Sequence, residues 1–444
     1  MSTARPWARG AQLLRNGIVR NALGLYALQF GSYLLPIATI IFLARILGPE
    51  NWGSLAFMQA FASYVMLTVT YGFNYSATRE VARHRHDPDR LADLLAGVLG
   101  AKAALTILSI AVAVTLSVLV APVHHNESLL WPALLWALSM SYSLNWLFQG
   151  LERMAFIARW ETGARILSLA GILLFVRSPA DTWKVLAIQG GMMAAAVAIE
   201  LAVTYREIPF RLPSTRLVMR TLRLGWSTFL YQGALSFYTV GNGFILGLFG
   251  SPSAVAYYVG AEKISKAFAT LLFPITQAVF PRISHLAGHA RGEAAQLART
   301  SLFLVGAAGC VMGLLIFLGA PLLVRLLLGP GFENAVVVLR ILALLPPLVA
   351  LSNVLGIQWM LALHLDRLVN TVVISACVLN VSLALILVPR YLHVGMAVAV
   401  VASEALVAFG LYAALRIRHL DPLVIAARAK ADPAPTPARA SVQP

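Results

Sequence analysis

A succession of long apolar segments constrains the fold of this chain more than any other feature of its sequence. A helix needs about 20 mostly apolar residues to cross the hydrocarbon layer of a membrane. About twelve segments meet this requirement and predict an all-α polytopic membrane protein. Their ranges are 21–44, 54–75, 94–120, 129–150, 161–177, 184–204, 224–248, 254–279, 300–324, 335–360, 369–388 and 395–415.

The composition supports this class and excludes others. Of the 444 residues, 59% are hydrophobic and 12% are charged, whereas soluble domains carry about 25% charged residues. A cytosolic enzyme, a secreted disulfide scaffold and a disordered protein are therefore excluded. Cys310 and Cys377 both lie in apolar runs, so the sequence predicts neither a disulfide framework nor a metal site built on cysteine.

Lysines and arginines concentrate in alternate loops between the predicted helices. The loop after the second helix, for example, holds Arg79, Arg83, Arg85 and Arg90. Because the arginine-rich loops of a membrane protein are the cytoplasmic ones, both termini are predicted to be cytoplasmic, which requires an even number of helices. The same distribution explains the net charge of +16, so nucleic acid is not expected as a partner.

The chain shows signs of an internal duplication into two six-helix bundles with the same orientation, an arrangement typical of transporters that work by alternating access. Three pairs of residues recur at a nearly constant offset: Gly48 and Gly250, Arg79 and Arg282, and Gln149 and Gln358. The predicted boundaries are 1–204 for the N-terminal bundle, 205–223 for a basic cytoplasmic linker, 224–420 for the C-terminal bundle and 421–444 for a disordered cytoplasmic tail.

Five segments of the chain resemble oligosaccharide flippases, those of O-antigen or exopolysaccharide repeat units, in the multidrug/oligosaccharidyl-lipid/polysaccharide exporter superfamily. These segments are 44–53, 76–83, 146–154, 257–264 and 353–358. Asn145, just before the third segment, is a departure from the pattern of these flippases. An acidic residue or proline is expected at this position as often as asparagine. The resemblance implies a fold like that of the multidrug exporters. It also implies a carrier that moves polyprenyl-pyrophosphate-linked oligosaccharides across the bacterial inner membrane to its outer leaflet.

Basic side chains inside predicted helices are costly and therefore indicate function. A diphosphate needs cations at membrane depth, which lysine supplies as a compact charge and arginine as a bidentate donor. Arg45 lies at the outer end of the first helix, where it can also serve as an interfacial anchor. The candidate ligands are Lys263, Lys266, Arg340, Lys102 and Arg45.

Simpler interpretations of these cations stay open at this point. Lys266 follows Glu262 by four residues, so the two side chains can pair on one helix. Lys102 can extend along its aliphatic stem to the interface. Arg340 can pair with Glu333 at the outer edge of the membrane.

Three carboxylates also lie in predicted helices and are candidates for coupling transport to protons or sodium ions: Glu404, Glu262 and Glu200. Glu404 is closest to the middle of the membrane. Glu200 lies shallow enough to reach the cytoplasmic surface. Each of them can instead serve as a structural partner for a lysine.

Other functions compete with the flippase. A proton- or sodium-coupled multidrug exporter of the same superfamily is the main alternative. A membrane glycan polymerase or ligase would need a long outer loop with catalytic groups, and the sequence predicts none. The fourth candidate function is that of a structural or regulatory protein that transports nothing. We expect no enzymatic activity and no cofactor, with membrane lipids and polysaccharide polymerase machinery as further partners.

Overall fold

The structure is a computed structural model that describes the backbone of residues 17–239 and 241–431. Within these ranges, the side chains of residues 17–37, 231, 234–240, 277 and 428–431 are left undescribed. The described residues form helices and short connections, without a β-strand. The predicted all-α class is therefore confirmed.

Seventeen α-helices follow one another along the described chain, joined by short turns, two 3₁₀ turns and one π-helical stretch, Asn353–Met360. They are α1 (Gly17–Thr70), α2 (Phe73–Arg83), α3 (Pro88–Leu119), α4 (Ala121–His124), α5 (Leu130–Tyr142), α6 (Asn145–Gly150), α7 (Met154–Phe175), α8 (Thr182–Glu207), α9 (Thr215–Thr239), α10 (Gly241–Phe249), α11 (Pro252–Thr270), α12 (Phe273–His289), α13 (Arg291–Leu327), α14 (Ala335–Leu342), α15 (Leu345–Ser352), α16 (Asp366–Ile417) and α17 (Pro422–Ala431).

The two longest helices are each interrupted by one residue with a positive φ angle. In α1, which has 54 residues, Gly48 adopts a φ of 68° just before Pro49. In α16, which has 52 residues, Leu392 adopts a φ of 47° three residues after Pro389. Because a crossing takes about 20 residues, each helix is long enough for two crossings, one on either side of its break.

Six helical segments in the described residues are long and apolar enough to span a membrane, or seven if the bent pair Pro252–Thr276 and Ala278–His289 counts as one. The polytopic membrane character is thus confirmed. All twelve predicted ranges fall on largely helical backbone. The number of twelve crossings and the cytoplasmic position of both termini stay predictions.

The chain divides into two compact units. The first contains the residues up to Gly48 together with Tyr64–Thr228. The second contains Pro49–Ser63 together with the residues from Phe229 onward. A short stretch of α1 thus belongs to the second unit.

The end of the chain differs in part from the prediction. We expected a disordered tail from residue 421, but Asp421 is buried and α17 follows it at once. The Leu420 carbonyl accepts a hydrogen bond from Trp359 Nε1 at 2.8 Å, so the start of the segment is fixed by packing. The rest of the predicted tail, 432–444, lies outside the described residues.

Candidate functional site

The first unit contains a broken helix, formed by α5 and α6. α5 ends at Tyr142 and α6 begins at Asn145, and Ser143 between them has the non-helical angles φ −48° and ψ 139°. The carbonyl groups at the end of α5 and the amide groups at the start of α6 therefore lack some of their helical partners. Inside a membrane such groups must be satisfied by protein.

Lys102 on α3 donates a hydrogen bond to a carbonyl group at the end of α5. Its Nζ atom donates to the Ser141 carbonyl oxygen at 2.6 Å and lies 5.9 Å from the centre of the Tyr142 ring. A cation at the C-terminal end of a helix is favourable because it complements the helix dipole. Lys102 is fully buried inside this unit, so the interpretation that it extends to the interface is wrong.

Glu200 on α8 accepts a hydrogen bond from the backbone just before α6. Its Oε2 atom accepts a hydrogen bond from the Leu144 amide at 3.0 Å. Its Oε1 atom is buried and has no hydrogen-bond partner in the described part of the chain. Because Glu200 is fully buried, the expectation that it reaches the cytoplasmic surface is wrong.

Glu161 on α7 completes what we call the break cluster, which consists of Lys102, Glu161 and Glu200. Glu161 Oε1 accepts hydrogen bonds from Ser143 Oγ at 2.7 Å and from Asn145 Nδ2 at 2.6 Å. Three charged side chains from three helices thus hold the break. Glu161 is not among the predicted site residues, although its position as the first residue of the predicted fifth span is a signal that could have indicated it.

The second unit brings together the acid and the base that sequence spacing paired on α11. Lys266 Nζ lies 3.0 Å from Glu262 Oε1, and Tyr258 donates a hydrogen bond to the same oxygen at 3.0 Å. The interpretation that Glu262 and Lys266 pair is confirmed. The Lys266 side chain is nevertheless 51% exposed.

Lys263, one turn before Lys266, contacts an aromatic group. Its Nζ atom lies 5.4 Å from the centre of the Trp52 ring, within the range of a cation–π interaction. Trp52 is buried and packs edge-on against Phe332 with ring centres 5.7 Å apart. The aromatic face therefore gives Lys263 a weak partner within the second unit.

The remaining candidates are dispersed. The Arg340 guanidinium lies 5.7 Å from the centre of the Phe317 ring and forms no ion pair with Glu333, so the alternative in which these two residues pair is wrong. Glu333 instead accepts from the Gly331 amide at 3.1 Å, and backbone amides lower the pKa of this carboxyl below its ordinary value. Arg45 is exposed near the break in α1, and Glu404 is half-buried in α16.

The described residues contain no group of three or more histidine, cysteine, aspartate or glutamate side chains that could hold a metal ion. What they offer is pairs of opposite charge inside apolar helices. Lys102 and Arg45 belong to the first unit, whereas Lys263, Lys266 and Arg340 belong to the second.

Long apolar helices, a broken helix and charges buried within them define the class of this protein as a polytopic α-helical membrane protein. Its sequence also identifies the family within this class. Residues 18–287 match the family described as polysaccharide biosynthesis protein, so the chain belongs to that family.

Two relatives extend the match over most of the chain. A protein of Escherichia coli (strain K12) named "Putative O-antigen transporter" is 34% identical over 397 residues, covering 87% of this chain and 94% of its own length. A Shigella dysenteriae protein of the same name is 28% identical, covering 87% and 97% respectively. The family resemblance predicted from the five sequence segments is thereby confirmed.

Solved structures show that the fold is shared with transport proteins. The lipid II flippase MurJ in an inward closed conformation aligns with a TM-score of 0.67 at 14% identity, covering 92% of this chain and 91% of that one. An inward-facing multidrug resistance MATE family transporter of the MOP superfamily aligns with a TM-score of 0.63 at 17% identity, covering 90% and 96%. The predicted likeness to the multidrug exporter fold is confirmed.

Proposed function

We propose that this protein flips polyprenyl-pyrophosphate-linked oligosaccharide repeat units from the cytoplasmic to the outer leaflet of the bacterial inner membrane, for the synthesis of a surface polysaccharide. The observation that carries the proposal is the similarity to two O-antigen transporter relatives over 87% of this chain. The fold shared with a protein named as a lipid II flippase fits the proposed activity.

The cations of the second unit are suited to bind the diphosphate. Lys263 and Lys266 lie one turn apart on α11, and Arg340 lies on α14. In our proposal the diphosphate competes with Glu262 for the half-exposed ammonium group of Lys266. When the anion leaves, the carboxylate pairs again with Lys266, which keeps the lysine neutralised inside the apolar helix.

The first unit is suited to couple the cycle to an ion. Glu200 has one carboxylate oxygen without a partner in the described residues, which a proton or a sodium ion can occupy. Binding there would weaken the hold of Glu200 on the Leu144 amide and so loosen the helix break. We propose Glu200, Glu262 and Glu404 as the coupling acids and alternating access as the transport mode.

The membrane potential supplies part of the driving force. With the cell interior negative, each negative charge that crosses the whole field outward gains about 2.3 kcal/mol per 100 mV. A diphosphate with about two charges would therefore move outward favourably, and the coupling ion would serve mainly to reset the carrier.

The test uses proteoliposomes that contain a fluorescent polyprenyl-diphosphate saccharide and an external quencher. We expect the wild-type protein to expose the inner-leaflet pool and the Lys263→Ala/Lys266→Ala variant to flip it much more slowly. Lys184→Ala, which removes a lysine outside this cluster, is the matched control and should flip normally. A fluorescent phosphatidylcholine with the same dye should not move, which excludes general scrambling.

The same vesicles distinguish the main alternative. If the wild-type protein leaves the diphosphate lipid unmoved but accumulates an organic cation against its gradient, the chain is a multidrug exporter and the flippase proposal fails. Glycosyl transfer by the purified protein would instead support a polymerase or ligase and overturn the expectation that it is not an enzyme.

A further inference from the structure

Three arginines form a row at the beginning of α9. Arg216, Arg220 and Arg223 are spaced four and three residues apart, which places them on one face of a helix. All three side chains are exposed. Within the described residues, none of them forms an ion pair with a carboxylate, so no described acid neutralises the row.

The neighbouring Arg211 shows the contrast. It lies in the connection before α9 and forms ion pairs with Asp89 and with Asp93, the latter at 2.6 Å. The hydrogen bond to Asp93 raises the pKa of Arg211 further above its ordinary value. The acidic residues at the start of α3 therefore neutralise Arg211 rather than the row on α9.

The packing of α9 fixes the direction of the row. A methyl group added at Gly97 on α3 would lie 2.5 Å from Thr221 Oγ1, so the two helices approach closely at this point. A methyl group added at Gly100 on α3 would likewise lie 2.8 Å from Val218 Cγ2. Because Val218 and Thr221 face α3, the arginines on the other side of α9 must face away from it.

Apolar side chains lie directly beside the arginines. Met219 and Trp226 are 48% and 53% exposed, and helical spacing places both on the flank of the arginine row. Phe210 and Leu212, just before α9, are exposed as well. Exposed apolar groups next to arginines are typical of a helix that lies at a membrane surface, with its cations directed at the headgroups.

We propose that the arginine row (Arg216, Arg220 and Arg223) is a binding surface for the phosphate groups of anionic phospholipids, with Met219 and Trp226 inserted among the acyl chains. Charge complementarity selects this occupant, because guanidinium groups bind phosphate oxygens in bidentate fashion. The surface would hold the start of α9 against the bilayer.

The test measures lipid binding rather than transport. The full-length protein in a neutral detergent is titrated with phosphatidylglycerol against an excess of phosphatidylcholine, and bound lipid is counted by native mass spectrometry. Each arginine near an anionic surface contributes about a fivefold change in affinity, so Arg216→Gln/Arg220→Gln/Arg223→Gln should weaken phosphatidylglycerol binding about 100-fold. Arg211→Gln is the matched control and should bind as the wild type does.

Three results would overturn the proposal. The triple variant binds phosphatidylglycerol as tightly as the wild type, or the Arg211 control loses as much affinity as the triple variant. In the third, the triple variant loses binding of a polyprenyl-diphosphate lipid while phosphatidylglycerol binding is unchanged, which would assign the row to the transport substrate. Thermal unfolding of each variant, followed in the same detergent, establishes that the compared proteins are folded.

Discussion

Lys102 Nζ donates a hydrogen bond to the Ser141 carbonyl oxygen across 2.6 Å, at the end of the broken α5. Replacing Lys102 by methionine keeps the length of the side chain and removes its donor. The Ser141 carbonyl then stays buried without this partner, which costs about 1–3 kcal/mol of unfolding free energy. We expect a lower midpoint of thermal unfolding in detergent.

The control for Lys102→Met is Lys184→Met. Lys184 forms an ion pair with Asp181 and is partly exposed, so its loss should change stability by about 0.5 kcal/mol or less. Equal stability losses in the two variants would contradict the role we assign to Lys102.

Glu200 permits a separation of hydrogen bonding from charge. Glu200→Gln retains an oxygen that can accept from the Leu144 amide, whereas Glu200→Leu leaves that amide unpaired at a cost of about 1–3 kcal/mol. We therefore expect the glutamine variant to be as stable as the wild type and the leucine variant to be less stable.

Transport by the Glu200 variants tests ion coupling. If Glu200 carries the ion, Glu200→Gln flips lipid at a rate that no longer responds to an imposed proton or sodium gradient. A glutamine variant that keeps the wild-type response to both gradients would restrict Glu200 to holding the helix break, and the coupling role would pass to Glu262 or Glu404.

Local interactions were the ones that the sequence could predict. The pair of Glu262 and Lys266 lies within one helical turn, so spacing alone indicated it. The turn at Gly48 could be expected as well, because glycine permits a positive φ and Pro49 disfavours helical continuation before it.

The break cluster could not be predicted because it depends on distant parts of the chain. Ser143 and Leu144 include neither glycine nor proline, so their sequence does not signal a helix break. The partners of the break are contributed by α3, α7 and α8. Lys102 is 39 residues from Ser141 and Glu200 is 56 residues from Leu144, and only packing of the helices brings each pair together.

If the diphosphate and Glu262 compete for Lys266, substitutions of Lys266 and of Glu262 should change the KM for the lipid in opposite directions. Lys266→Gln removes a charge from the diphosphate site, so the apparent KM for the lipid substrate should rise about tenfold. Glu262→Gln removes the competitor, so KM should fall, by about two- to fivefold because the Lys266 side chain is half-exposed. Initial flipping rates over a range of lipid densities measure both values. A rise of KM in both variants would show that the pair acts only as a unit.

Replacing either of two glycines in α1, Gly48 or Gly53, by alanine is predicted to destabilise the protein, for a different reason at each position. Gly48 has a φ of 68°, a ψ of 175° and open space around it, so Gly48→Ala should cost about 1–3 kcal/mol through backbone strain alone. A methyl group at Gly53 would overlap the Pro252 carbonyl, which belongs to the backbone and cannot rotate away. Gly53→Ala should therefore prevent the second unit from folding, whereas Gly163→Ala, in an open helical position, should be neutral or slightly stabilising. Yields of monodisperse protein and unfolding midpoints rank the three variants, and normal folding of Gly53→Ala would refute the close approach at Pro252.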